Sequence, residues 1–371
     1  MTRELEERRR FLRCACGSAL AAGLGLPALA AAKGLPGHPA RWYKKLPLKR
    51  VECELCPKHC RVDDTERGFC GVRENHGGEY RSLVYGRPCA LNVDPIEKKP
   101  LFHLMPGAWT FSLATAGCNM DCKACQNWQI SQARPEQVRW RDLPPQKVVE
   151  ASLGAGSKII SYTYTEPVVF LEYVIDTARI ARRKGLKNCM ISGGNVEVKP
   201  LREAIAVLDA IKIDLKSFDE TTYVKMNKGE LKHILRTLET IRKAGRWLEI
   251  VYLVIPTVND GEGEVKKMCR WVKGHLGLDV PVHFTRFHPD YQLKHLPPTP
   301  FSTLKRCHDI ARAEGLRYPY VGNFAGKGGE DTHCPKCNTT VIERRGFNVQ
   351  SNGLKQGKCP RCGTAIPGVW S

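Results

Sequence analysis

From Trp109 onward the chain alternates short apolar, β-rich runs with amphipathic windows of helical period, and that alternation restricts it to a parallel α/β architecture. The runs are 110–115 (TFSLAT), 158–163 (KIISYT), 187–192 (KNCMIS), 210–215 (AIKIDL), 247–255 (WLEIVYLVI), 281–286 (PVHFTR) and 316–321 (LRYPYV). Between them, 167–184 places Val168, Leu171, Val174, Ile175 and Ala178 on one face. The window 230–244 does the same with Leu231, Ile234, Leu235, Leu238 and Ile241. Strand and helix repeated across 108–325 fit an open or closed (β/α) barrel better than a doubly wound sheet. In a barrel the chemistry gathers where strands end, so the residues just after each run carry the functional expectations.

With 42% hydrophobic and 26% charged residues the chain has the composition of an ordinary globular protein, which leaves its cysteines as the anomaly. Of the seventeen cysteines, eleven cluster at 53–70, 118–125 and 334–362. A chain of 371 residues can bury a core without a disulfide scaffold, so clustering of this kind points to metal. The 58 basic against 38 acidic side chains permit an anionic partner. No Lys/Arg run with interleaved aromatics marks a nucleic-acid groove, and the excess reads as a basic solvated surface.

Cys118, Cys122 and Cys125 follow the first run at once, and no fourth cysteine is near. Three thiolates on a [4Fe–4S] cubane leave one iron open to chelate a small molecule through an amino and a carboxylate group. A structural zinc site wants four ligands, which makes this loop a poor zinc binder.

The CxxxCxxC loop resembles the signature of radical S-adenosylmethionine (radical SAM) enzymes. The chain from about residue 50 onward is similar to relatives of pyruvate formate-lyase activating enzyme, and among them to the radical member of the AmmeMemoRadiSam system. The resemblance rests on Asp94-Pro-Ile-Glu-Lys-Lys-Pro-Leu-Phe-His103, GCNMDCKACQNWQIS (117–131), Tyr162-Thr-Tyr-Thr-Glu-Pro167, Ile213-Asp-Leu-Lys216, Ile255-Pro-Thr-Val-Asn-Asp260, Arg286-Phe-His-Pro-Asp290 and the terminal CPxC pairs. It implies a partial (β/α) barrel of the radical SAM type, with Cys118, Cys122 and Cys125 as catalytic cluster ligands and S-adenosylmethionine as cofactor. It further implies one-electron reduction of the cluster by a low-potential donor and homolysis of the sulfonium to methionine and a 5′-deoxyadenosyl radical. That radical then takes hydrogen from a substrate, a protein being one candidate. Memo-type and Ammecr-type proteins are the implied partners.

The same resemblance carries contact with the methionine ammonium to Glu166, beside Thr165, and turns Asp214 and Lys216 toward the cofactor. Ser192 and Asn195 flank Gly193-Gly194, whose glycines let backbone approach a ligand. His288 is a candidate for substrate binding. One departure stands out: the aromatic residue often found before the third cysteine is replaced by Ala124, with Trp128 as a substitute ring.

Cys334-Pro-Lys-Cys337 and Cys359-Pro-Arg-Cys362 form two knuckles of a four-thiolate site across 330–371, of zinc-ribbon or rubredoxin type, taking zinc or iron. The N-terminal set within 51–107, Cys53, Cys56, Cys60 and Cys70, fits neither a ferredoxin run nor paired knuckles. Zinc, an auxiliary iron–sulfur cluster and disulfides all remain open for it, with Cys89 as an extra ligand candidate. Cys189, Cys269 and Cys307 read as small buried apolar residues.

Residues 1–32 carry Arg8-Arg9-Arg10-Phe11-Leu12-Arg13 and then an apolar stretch from Ala19 to Ala32 broken by Gly23, Gly25 and Pro27, which resembles a twin-arginine signal. Residues 33–50 read as a linker. Export conflicts with the supply of S-adenosylmethionine and low-potential electrons, which belongs to the cytoplasm. Two rival readings are a radical RNA-modifying enzyme, on the charge and the ribbon, and a non-catalytic iron–sulfur and zinc protein.

Overall fold

In the computed structural model, which describes residues 37–324 and 328–371, eight strands form one sheet in the order of the chain. They are β1 (Ala90–Pro95), β2 (Trp109–Ala114), β3 (Ile159–Tyr162), β4 (Lys187–Ser192), β5 (Ala210–Asp214), β6 (Trp247–Val254), β7 (Val282–Arg286) and β8 (Pro319–Gly322). From β2 to β8 every neighbour is parallel, and β1 lies antiparallel on the β2 edge. A strand order that never reverses is that of a partial barrel, whereas a doubly wound sheet reverses at a switch point.

The seven apolar runs became β2 to β8 with ends displaced by a few residues. Strand β1 went unread because Leu-Asn-Val-Asp alternates over only four residues and the strand ends in proline, a residue tolerated at a sheet edge. The helices are α1 (Trp128–Ser131), α2 (Pro145–Gly154), α3 (Leu171–Arg183), α4 (Val198–Ile205), α5 (Glu220–Asn227), α6 (Leu231–Lys243), α7 (Glu262–His275) and α8 (Phe301–Ala313). On α3, Leu171, Val174, Ile175 and Ala178 are buried, as are Leu231, Ile234, Leu238 and Ile241 on α6. Each such branched side chain contributes about 1.5–3 kcal/mol through burial, so these faces hold the helices on the sheet.

The stretch 37–50, expected as linker, is instead part of the N-terminal module. Tyr43–Lys45 pairs with Val51–Cys53, and His38–Pro39 pairs with Glu79–Ser82. The aromatic residues explain the difference: Trp42 is buried and donates its indole N–H to Glu203 at 2.8 Å. Behind the module, Arg73 and Glu172 of α3 form a fully buried ion pair. The signal-like stretch at 1–32 lies outside the described residues.

The segment Asp94–His103 plugs the end of the barrel where the strands start. Glu249, near the start of β6, accepts hydrogen bonds from Phe102 N (2.9 Å), His103 N (2.8 Å), Trp247 Nε1 (2.9 Å) and His283 Nε2 (2.7 Å). Three short antiparallel strands, Thr332–His333, Thr340–Arg345 and Asn348–Asn352, form the C-terminal ribbon. Arg344 of the ribbon donates to the Phe102 carbonyl at 2.7 Å, and its guanidinium lies 3.7 Å from Glu97. The motif around 94–103 therefore serves closure, at the end opposite the strand C-termini.

Candidate active site at the strand ends

The loop after β2 carries Cys118, Cys122 and Cys125, and the backbone pins it from several sides. Gly117 N donates to Ile130 O (2.9 Å), Asp121 N to Asn227 O (3.1 Å) and Lys123 N to Met226 O (2.9 Å), so α1 and the end of α5 hold it. Gly117 has φ +91, and a Cβ there would stand 2.5 Å from Val72 Cγ1 and 2.8 Å from the Cys70 carbonyl oxygen. Only glycine fits. The Met120 N–H points at Cys118 Sγ (3.4 Å), and the Ser131 hydroxyl lies 3.2 Å from Cys125 Sγ.

Glu166, two residues into the turn that follows Tyr164, is buried beside this loop. Its Oε1 accepts from Ser192 Oγ (2.6 Å) and Val168 N (3.1 Å), and its Oε2 from Gly193 N (2.7 Å). A carboxylate offers about four acceptor sites, so Oε2 keeps room for one further donor. Burial pushes the Glu166 carboxyl up, against the pull of these donors. Thr165 is tied by its hydroxyl to the Thr115 carbonyl at 2.8 Å, and the Asn195 carbonyl accepts from Asn119 Nδ2 at 2.6 Å. The ends of β2, β3 and β4 are thus cross-linked around the cysteine loop.

At the end of β5, Asp214 is held between Lys212 and Lys216, the second at 2.9 Å. Burial would raise the Asp214 carboxyl, yet the two lysines hold it down at about 2. Burial would likewise lower Lys216, and Asp214 together with Cys122 raises it instead. Cys122 itself is pushed up to about 12 by burial, against the field of Lys216, while burial and the nearby Glu166 charge raise Cys118. The donor set fits an iron–sulfur cluster: three cysteines, no fourth protein ligand on the loop, and Lys216 nearby to offset anionic charge.

His288 is exposed on the loop after β7, its Nδ1 3.1 Å from the Pro289 carbonyl. Ala124 packs with Ile255, Phe287 and Leu293, while Trp128 stacks on Tyr291 with ring centroids 5.2 Å apart. The aromatic pair therefore sits where the loops after β2 and β7 meet, joined also by Gln292 N to Lys123 O at 3.2 Å. Met120 and Tyr291 belong to this neighbourhood and were not legible as site residues, since neither side chain carries a chemical signature.

The C-terminal set is compact: Cys334 and Cys362 sulfurs are 3.5 Å apart and Cys337 and Cys359 sulfurs 3.6 Å, with all four within 4.8 Å of one another. Zinc–sulfur bonds of about 2.3 Å in a tetrahedron place sulfurs about 3.8 Å apart, so this is a site for one tetrahedral metal ion. In the N-terminal module Cys53, Cys56, Cys60 and Cys70 line a single cavity, and Cys89 is not among its lining residues. Cys189, Cys269 and Cys307 are buried, with Cys189 Sγ 2.9 Å from Ser161 Oγ.

Residues 112–271 match the sequence profile of the radical SAM superfamily. Over 329 residues the chain is 43% identical to the uncharacterised protein MJ0808 of Methanocaldococcus jannaschii, covering 88% of this chain and 98% of that protein. Among solved structures, a domain of pyruvate-formate lyase-activating enzyme from Bacteroides vulgatus is 18% identical with a TM-score of 0.40, covering 44% of this chain and 98% of that one. A radical SAM methyltransferase from Sphaerobacter thermophilus is 15% identical with a TM-score of 0.44, covering 58% and 66%. The chain therefore belongs to one family with MJ0808 and carries a radical SAM domain at residues 112–271, which includes the cysteine loop at the strand ends.

Proposed function

We propose that Cys118, Cys122 and Cys125 hold the [4Fe–4S] cluster of a radical SAM enzyme and that Glu166 receives the ammonium of S-adenosylmethionine. The observation that carries this reading is the pinned three-cysteine loop lying against a buried glutamate with one acceptor position to spare. When bound, the cluster supplies the electron that cleaves S-adenosylmethionine to methionine and a 5′-deoxyadenosyl radical, the hydrogen-abstracting species. The chain's own residues bind and orient. Ser192, Val168 and Gly193 fix the Glu166 carboxylate, Lys212 anchors the Asp214 carboxylate that in turn holds the Lys216 ammonium, and the buried walls formed by Thr165 and Asn195 exclude water. The motif set beyond the cysteine loop supports placing the chain with the radical enzymes of the AmmeMemoRadiSam system. Memo-type and Ammecr-type partners follow from that placement, and a protein as one candidate substrate follows from the likeness to activating enzymes.

The test is spectroscopic. Adding S-adenosylmethionine to the reduced, anaerobically reconstituted protein shifts the electron paramagnetic resonance signal of the cluster, because the ligand occupies the open iron. An unchanged signal at saturating cofactor contradicts the assignment.

A further inference from the structure

The N-terminal module carries its own set of chemistry-bearing groups, separate from the strand-end site. Cys53 and Cys56 lie at and just after the strand Val51–Cys53, Cys60 just before Arg61–Val62, and Cys70 in the turn before Arg73–His76. These three strands bring thiols from a span of eighteen residues around one cavity, whose wall also includes Lys58, Arg73, Tyr80 and Asn119.

Three features of this cavity point to a ligand. Buried polar atoms face it without partners: Arg73, fully buried, gives Nη2 to Glu172 and Nε to the Val169 carbonyl, while Nη1 has no acceptor, and neither has the buried Tyr80 hydroxyl. A buried guanidinium N–H and a buried O–H without acceptors are costly unless a ligand supplies an acceptor. The Phe69 N–H also points at Cys60 Sγ at 3.4 Å, an amide-to-sulfur contact of the kind that cluster sulfurs accept.

The spacing of the sulfurs then selects the kind of ligand. Among the described residues, the C-terminal four are the one group of three or more candidate ligand atoms lying within 4.8 Å of one another. No three of the N-terminal sulfurs come that close, although all four line the same cavity. One tetrahedral ion holds its sulfurs about 3.8 Å apart, and a polynuclear cluster holds them farther. The N-terminal sulfurs are therefore spread more widely than one tetrahedral ion holds them.

We propose that Cys53, Cys56, Cys60 and Cys70 hold a second, fully ligated [4Fe–4S] cluster, with Arg73 and Tyr80 facing its anionic sulfur. Four thiolates on a cubane with a 2+ core carry net negative charge, which the Arg73 guanidinium and nearby Lys58 offset. With four protein ligands it has no open iron, so it binds no S-adenosylmethionine. Asn119, from between Cys118 and Cys122, lines its cavity, and Gly117 packs on the Cys70 carbonyl, so the two sites share one layer of backbone.

Metal and labile-sulfide counts on the full chain, reconstituted anaerobically with ferrous iron and sulfide, test this. Wild type is expected to hold about eight labile sulfides and the Cys118→Ala/Cys122→Ala/Cys125→Ala variant about four. That variant leaves all four N-terminal cysteines in place. Adding Cys56→Ser and Cys60→Ser removes the remaining sulfide while the C-terminal metal stays, which also reports that the chain still folds. A triple variant without labile sulfide, a second zinc ion per wild-type chain, or N-terminal thiols paired as disulfides overturns the proposal. A measurement on wild type alone gives an independent reading: in Mössbauer spectra, S-adenosylmethionine perturbs about one iron in eight if both clusters are present and about one in four if only one is. Eight irons with no response to the cofactor would sink the strand-end assignment and leave this one standing.

Discussion

Replacing Glu166 by glutamine separates the two tasks assigned to that side chain. The amide keeps the volume, and its carbonyl can still accept from Ser192 Oγ and Val168 N, so the β3 and β4 ends stay joined. Its NH2 then occupies the Oε2 position 2.7 Å from the Gly193 N–H, where two donors meet. Leaving that buried N–H unsatisfied costs about 1–3 kcal/mol of stability. The variant also lacks the negative partner for the ammonium, a charge-assisted bond worth about 1.5–3 kcal/mol. At about 1.4 kcal/mol per tenfold, S-adenosylmethionine binds roughly 10- to 100-fold more weakly. Equilibrium dialysis of the cofactor against anaerobic, iron-matched wild type and Glu166→Gln measures this. An affinity within about twofold of wild type, below half a kcal/mol, refutes the ammonium assignment.

Other perturbations reach the parts that support the site. Gly117→Ala puts a Cβ 2.5 Å from Val72 and 2.8 Å from the Cys70 carbonyl at a φ of +91, at a cost of about 2–5 kcal/mol. Reduced iron content after reconstitution is the expected outcome, and full content at wild-type stability contradicts it. Glu249→Gln leaves four buried donors with a single good acceptor and costs about 3–5 kcal/mol, read as a lower urea midpoint; a loss under about 1 kcal/mol argues against the plug. Burial holds the His103 imidazole down at about 4, its Nδ1–H donating to the Pro367 carbonyl and its Nε2 accepting from Tyr320. Between the ordinary value of 6.5 and that value the unfolded chain takes up a proton that the folded chain refuses, so stability falls as pH falls through this window, by about 3 kcal/mol. A urea midpoint unchanged between about pH 7 and pH 4.5 contradicts this accounting.

The barrel was legible because β2 to β8 are apolar runs and α3 and α6 keep a strict helical stripe, signals that survive in a single sequence. Strand β1 was not, since its alternation covers only Leu91 to Asp94, and in the fold Val93 is exposed and Asp94 buried, against that pattern. The linker reading of 33–50 failed over its described part because proline and glycine dominate the pattern there, while Trp42 and Tyr43, two aromatic side chains, decide the packing. The cysteine loop announced its chemistry through residue type and spacing. The partners that shape it did not: Glu166 was read by its place after β3, but its tie to Ser192 and Gly193 depends on strands that meet only in the fold. The motif 94–103 shows the reverse case, a conspicuous set of residues whose task is to close the far end of the barrel around Glu249. Asp214 and Lys216 were read as facing the cofactor, and the structure adds Lys212 as the third member of their ion network.

The central claim is most directly tested by following S-adenosylmethionine under anaerobic, reducing conditions with the reconstituted wild type and the Cys122→Ser variant. The account predicts 5′-deoxyadenosine and methionine from wild type and none above the protein-free background from the variant. Equal product from both proteins, or none from wild type carrying its full iron and sulfide, would contradict it.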